Sequence, residues 1–169
     1  DLHWRQDRLL PAAKTLAQAM GASVEEAFET QTLARDYYGL YYGYAALPVK
    51  PETVSYLTSD TIESAVVTNF ETNRTGAVYD MEKAAGKNPY EMFLSGSVSL
   101  LTIENPNAKT DRELVIFRDS FASSLTPLLA GAYAKITLVD IRYLQPERLG
   151  TWLTFDTQDV LFLYSAPVL

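Results

Sequence analysis

Two short clusters, Asp1–Leu2–His3–Trp4 and Arg118–Asp119–Ser120–Phe121, between them hold an acid, an imidazole and a hydroxyl nucleophile. In an extended stretch, residues two apart project to one face. The Asp1 carboxylate can then accept from His3 Nδ1–H, fix the tautomer and leave Nε2 free as a base. The competing reading is an exposed terminal histidine beside a helix whose first turn favours acids. Ser120 follows the apolar run Leu114–Val115–Ile116–Phe117, at the expected turn from strand to helix, where outward-pointing N–H groups can hold a developing oxyanion. Asp and Ser are also preferred helix N-caps, so capping accounts for this cluster taken alone. Together the clusters supply every member of a Ser–His–Asp device, and His3 is the only histidine in the sequence.

Composition narrows the chemistry further. The 169 residues carry 14 Lys+Arg against 21 Asp+Glu, a net charge of −7, which argues against nucleic acid and anionic lipid surfaces as partners. With no Cys, thiol nucleophiles, disulfide frameworks and Cys-ligated metal sites are excluded, and one His excludes multi-histidine sites. No apolar run approaches the roughly 18 residues of a membrane span, and no basic-then-apolar signal segment occurs. The sequence begins with Asp1 rather than Met, so it is expected to be a piece that lacks an N-terminal part.

Other polar clusters fall at expected strand ends: Asp140–Ile141–Arg142–Tyr143 and Tyr164–Ser165. Asp119 and Asp140 could together hold Mg²⁺, but no acidic nucleophile motif or lysine-bearing phosphate loop accompanies them. An ion pair of Arg142 with Asp140 or Asp119, shaping a rim, is the favoured reading. Tyr37, Tyr38, Tyr41, Tyr42 and Tyr44 form a wall that could stack on sugar rings or simply pack with their hydroxyls in water.

These residues need elements to position them. Leu9, Ala13, Leu16, Ala17 and Met20 form the stripe of an amphipathic helix closed by Gly21, with Pro11 in its first turns. Ser23 with Glu25 and Glu26 predicts the cap of a short second helix. β-branched residues between Glu52 and Met81 predict two or three antiparallel strands. The runs Leu114–Phe117, Ile136–Val139 and Val160–Leu163 predict adjacent parallel strands buried on both faces. Phe121–Tyr133 and Pro146–Leu153 would be their helical crossovers, and Ser97–Ile103 a further strand upstream.

The quoted motifs, with Tyr90–Glu91–Met92–Phe93–Leu94–Ser95–Gly96, resemble the DHHW protein family in order and spacing across nearly the whole sequence. That family is similar to the SGNH-hydrolase-like proteins of alginate O-acetylation. The resemblance implies an α/β fold of three layers, SGNH-hydrolase-like (flavodoxin-like), with a mostly parallel sheet and helices on both faces. Residues 1–169 would be the C-terminal portion of that single domain. It implies an extracytoplasmic serine acyl-ester enzyme, an O-acetyltransferase or acetylesterase acting on cell-surface polysaccharide or acetylated sugar, with a membrane-bound acyl-donor partner and no cofactor or metal. Asp1 would orient, His3 act as base and Ser120 as nucleophile. Phe121, Ser123, Arg118, Asp140, Arg142 and Tyr143 would serve the oxyanion and the substrate, with Ser120 and Phe121 N–H groups as the oxyanion donors. Leu2 stands in place of the first His of the family name, Arg118 in place of a Gly, and Ser123 where relatives often carry Asn. The alternative is a non-catalytic glycan-binding or envelope-scaffold protein.

Overall fold

Alternation of side chains along three apolar strands builds two faces from one sequence. In β6 (Glu113–Arg118), Leu114 and Ile116 join one apolar cluster while Val115 and Phe117 join another. β7 (Lys135–Val139) and β5 (Leu100–Glu104) divide in the same way, with Ile136, Leu138, Leu101 and Ile103 on the first face and Val139 and Leu100 on the second. A computed structural model describes residues 1–39, 41–42 and 48–168 of the chain, apart from the Pro167 side chain.

Elements β1 (Glu29–Thr32) and β2 (Ser55–Thr58) form a separate antiparallel pair. With β3 (Val66–Asn69), β4 (Arg74–Gly76) and β8 (Asp159–Leu163), the main sheet has six strands in the order β4-β3-β5-β7-β6-β8. β6 runs parallel to both β7 and β8, with Leu114 opposite Ile136 on one side and Asp159 on the other. The three expected strands are therefore adjacent and parallel. The rest corrects the expected mostly parallel sheet: β3 pairs antiparallel with β4 and β5, and β5 antiparallel with β7. The sheet is mixed because the chain between β5 and β6, residues 105–112, is a loop joining two antiparallel strands at one end of the sheet, where no crossover helix is needed.

Among the described residues, four short helices accompany the sheet: α1 (Leu10–Ala19), α2 (Asp60–Ser64), α3 (Met81–Ala84) and α4 (Ala122–Leu125). In α1, Pro11 sits in the first turn, and Gly21 at φ 71 supplies the left-handed residue that ends the helical segment. Ala13 and Ala17, fully buried, let α1 approach the 3-10 segment Thr126–Ala132 closely. The crossover after β6 is shorter than a regular helix. Pro127 lacks the N–H that would extend α4, Thr126 Oγ1 donates to the Ala122 carbonyl, and the chain tightens into 3-10 turns. The second crossover is likewise a 3-10 segment, Pro146–Thr151.

Two further expectations are corrected. No helix follows Ser23: residues 22–28 are irregular, Ser23 Oγ donates to Glu25 Oε1 instead of capping, and Val24 is drawn into the core. β8 is the sheet edge rather than a strand buried on both faces: Val160 and Phe162, on one of its faces, are exposed, Phe162 at 69%.

Gln6 ties the N-terminal segment to two of these elements. It is buried, and its Nε2 donates to the Ser124 carbonyl in α4 at 2.8 Å. Its Oε1 accepts from the Leu57 N–H of β2 at 2.8 Å, and the Tyr79 hydroxyl, 3.1 Å from Oε1, donates to the Leu57 carbonyl at 2.6 Å. Gln6→Leu preserves volume but leaves the Ser124 carbonyl and Leu57 N–H buried and unpaired. It is expected to lower the unfolding free energy by about 2–4 kcal/mol in denaturant titration, and a loss below about 1 kcal/mol would show that the staple does not hold the segment.

Candidate active site

β6 ends in Arg118, and the next two residues turn out of the sheet before α4 begins. Asp119 makes that turn rigid. Its Oδ1 accepts from the Phe121 N–H at 2.9 Å, and its Oδ2 accepts from the Ser165 N–H at 2.7 Å and the Ser165 hydroxyl at 2.6 Å, joining the end of β6 to the end of β8. Burial alone would raise the carboxyl pKa. The donors from Ser165 and Phe121, with the charge of Arg142, outweigh it and hold Asp119 below the usual carboxylate range. Ser120 is thus presented at the carboxyl end of a buried strand by a turn fixed on both sides.

The N-terminal segment, anchored by Gln6, brings His3 to this turn. His3 Nε2 lies 3.2 Å from Ser120 Oγ, and Nδ1 lies 2.9 Å from Asp1 Oδ1. Asp1 Oδ1 also accepts from the His3 backbone N–H at 2.7 Å, and the Tyr37 hydroxyl donates to Asp1 Oδ2. With an acceptor-only carboxylate at Nδ1, the proton belongs there, and Nε2 is left to accept from the serine hydroxyl. The acid, base and hydroxyl of the two clusters, 117 positions apart, therefore form one chain of hydrogen bonds. Burial pushes the imidazole pKa down to about 4, with Asp119 opposing and the amino terminus reinforcing. The hydrogen-bonded Asp1 carboxylate also favours the charged ring.

Aromatic side chains enclose the imidazole. Tyr90 stacks on it with centroids 3.7 Å apart and planes 13° from parallel, and Phe121 leans on it at 5.3 Å. Trp4 meets Phe121 edge-on at 5.4 Å and is 41% exposed, so the rim beside Ser120 offers an apolar surface to a ligand. A cavity of about 280 Å³ opens on the Asp1 side of His3, lined by Trp4, Tyr37, Val54, Tyr90 and Phe93 among others. A larger cavity, about 610 Å³, lies around Ala22, Asn105 and Gly131 and contains none of the candidate residues.

The remaining sequence candidates land in different environments. Phe121 N–H is committed to Asp119, so of the two expected oxyanion donors only the Ser120 N–H has no acceptor among the described residues. Arg118, expected near a substrate, is wholly buried, donating to Ser123 Oγ at 2.9 Å and to the Val98 carbonyl at 3.0 Å. Ser123 is buried with it, and its hydroxyl serves that guanidinium. Asp140, fully buried at the end of β7, accepts from Arg142 Nε at 2.9 Å and Nη2 at 2.6 Å, one of the two ion pairs that the sequence left open. Its carboxylate is engaged within the protein by Arg142, as that of Asp119 is by Ser165 and Phe121. Tyr143 is 60% exposed, with the Arg142 guanidinium 5.3 Å from its ring centroid. No hydrogen bond among the described residues joins Asp140, Arg142 or Tyr143 to His3 or Ser120. Of the tyrosine wall, Tyr37 touches the site, Tyr38 and Tyr42 pack together at 4.6 Å, and Tyr44 lies outside the described residues.

Gln6 and Tyr90 were not legible as site residues in the sequence, and Tyr37, read there as part of a tyrosine wall, instead holds Asp1 through its hydroxyl. Tyr90 lies within a quoted motif, but nothing in that motif shows a ring stacking on His3.

No protein-family model and no curated protein matches the sequence. Solved structures do match. A DHHW family protein from Eubacterium siraeum superposes with a TM-score of 0.70 at 22% identity, covering 97% of this chain and 57% of that one. Bacillus cereus PatB1 carrying a sulfonyl adduct superposes with a TM-score of 0.70 at 18% identity, covering 98% and 58%. A second PatB1 structure gives 0.67 at 19% identity, covering 98% and 60%. The chain thus spans about three fifths of the length of these structures, and along nearly all of its own length it shares the mixed α/β fold of a DHHW family protein and of PatB1.

Proposed function

We propose that the chain carries a serine acyl-ester centre, in which Ser120 attacks an acetyl ester on a cell-surface polysaccharide or related acetylated sugar. The observation that carries this reading is the 3.2 Å approach of His3 Nε2 to Ser120 Oγ with Asp1 on the other ring nitrogen. His3 takes the Oγ proton as Oγ bonds to the acetyl carbon, and the Ser120 N–H faces the developing oxyanion. As the ester C–O bond breaks, the imidazolium returns its proton to the leaving sugar oxygen, and acetyl-Ser120 remains. Water or a second sugar hydroxyl then attacks that ester, giving its proton to His3, and the imidazolium returns the proton to Ser120 Oγ as the bond from Oγ to the acetyl carbon breaks. The first acceptor makes the protein an acetylesterase and the second an O-acetyltransferase. The sulfonyl adduct in PatB1 supports the reading, because sulfonyl electrophiles are trapped by activated nucleophiles.

The finer architecture belongs to the same proposal. We read residues 1–169 as the C-terminal portion of one SGNH-like α/β domain, working outside the cytoplasm with a membrane-bound acyl donor. The exposed Trp4 edge and the apolar rim suit a sugar face. One observation favours the alternative, a glycan-binding protein without turnover: Asp119 occupies the Phe121 N–H and leaves the oxyanion a single backbone donor in the turn. Each such donor is worth roughly 3 kcal/mol of barrier.

Kinetics on a small acetyl ester separates the two. Residues that act as one unit are non-additive, so Ser120→Ala and His3→Ala should each lower kcat by about 10⁴- to 10⁶-fold, and the double variant should be hardly worse. Full activity in Ser120→Ala would contradict the proposal. Asp1→Asn should lower kcat by about 10³- to 10⁴-fold. It should also move the acid limb of the pH profile downward, because burial then depresses the His3 pKa with less opposing charge. A limb that stays in place or rises would show that Asp1 does not act on the imidazole.

A further inference from the structure

The imidazole and the serine turn are held by the same side chain. Tyr90 lies in the 3-10 segment Pro89–Met92 and is 8% exposed. One face of its ring covers the His3 ring at 3.7 Å. Its hydroxyl donates to the Ser120 carbonyl at 2.9 Å, with Ser124 Oγ 3.1 Å away on the next turn of the chain. A phenol has one proton and a carbonyl can only accept, so the proton belongs on the Ser120 bond and Ser124 can donate to the phenol oxygen. The same Ser120 carbonyl also accepts from the Ser123 N–H at 3.2 Å, which fixes the peptide plane between residues 120 and 121. The remaining packing of Tyr90 is apolar, against Phe93 at 5.2 Å, so the ring has little freedom to slide.

Resting on the acyl-ester reading, we infer that Tyr90 is a positioning residue that sets the gap between base and nucleophile, its ring fixing the imidazole plane and its hydroxyl fixing the carbonyl of the serine. The two functions are separable. A phenyl ring keeps the stack and loses the clamp; an aliphatic chain loses both. A sub-ångström error in the Nε2 to Oγ distance acts on the chemical step more than on substrate affinity, because Tyr90 is buried behind the imidazole while the exposed rim is carried by Trp4. The ring also excludes water from one imidazole face. The charged groups that remain around His3 are Asp1, Asp119 and the amino terminus, and none of them belongs to the segment that carries Tyr90.

The test uses the full chain with 4-nitrophenyl acetate, reading kcat, KM and the pH profile. Tyr90→Phe should lower kcat by about 10-fold, and Tyr90→Leu by about 10²- to 10³-fold, each with KM within about threefold of the parent. The acid limb should stay in place in Tyr90→Phe. In Tyr90→Leu it should rise toward the ordinary histidine value of 6.5, because water then reaches the ring. Damage to packing alone would lower the amount of folded protein without moving the limb. Parent kcat in Tyr90→Phe would overturn the clamp. Parent kcat and limb in a Tyr90→Leu variant that keeps its circular dichroism would overturn the stack, and with it the inference. Ser120→Ala run alongside identifies a different failure: turnover equal to the parent would overturn the acyl-ester reading and the role given to Tyr90 together.

Discussion

The buried amide of Gln6 is the constraint on which the arrangement of the site depends. It is the point where the N-terminal segment, the β1–β2 pair and α4, which follows the serine turn, are joined by hydrogen bonds from a single side chain. A primary amide has a donor end and an acceptor end, and here each finds a backbone partner away from water, so the register of the segment is determined to within one residue. A shift by one position would place the Leu2 side chain where His3 now meets Ser120. The extended backbone before Gln6, with Arg5 at φ −73 and ψ 119, carries His3 back over the serine turn. The helix α1 that follows locks the segment down through its two fully buried alanines.

Around that constraint the charged groups fall into two kinds. Asp119 and Asp140 sit at the carboxyl ends of neighbouring parallel strands, each held by donors within the protein, and Asp119 acts on the imidazole as a nearby negative charge. Arg118 is the opposite case: a fully buried guanidinium held by a hydroxyl and a carbonyl, with its Nε unpartnered. Burial pushes its pKa down, and Asp140 is the largest opposing charge. The buried ends of β6 and β7 thus form a charge-balanced floor beneath Ser120, and the ligand-accessible surface is left to aromatic rings.

The parallel trio β7-β6-β8 could be read from the sequence because runs of β-branched and aromatic residues, separated by segments long enough to cross the sheet, leave few other solutions. The direction of β5 could not. Strand direction leaves side-chain alternation unchanged and is decided by how residues 105–112 close, which depends on the end of the sheet at which that loop lies. Helix lengths were overestimated for a local reason, Pro127, and the helix after Ser23 for a tertiary one, the burial of Val24. In the site, residue type alone brought out Asp1, His3 and Ser120. Gln6 and Tyr90 were missed because a glutamine at the start of an amphipathic helix looks solvent-facing, and one tyrosine among the 11 in the sequence carries no mark of what it stacks on.

Whether His3 activates Ser120 as a nucleophile can be read by covalent trapping. The full chain is treated with phenylmethanesulfonyl fluoride near neutral pH, digested and mapped by mass spectrometry. One sulfonyl adduct per chain is expected, on the peptide that contains Ser120, and so is its loss in His3→Ala. An unmodified Ser120, or an adduct that forms equally well without His3, would contradict activation by His3.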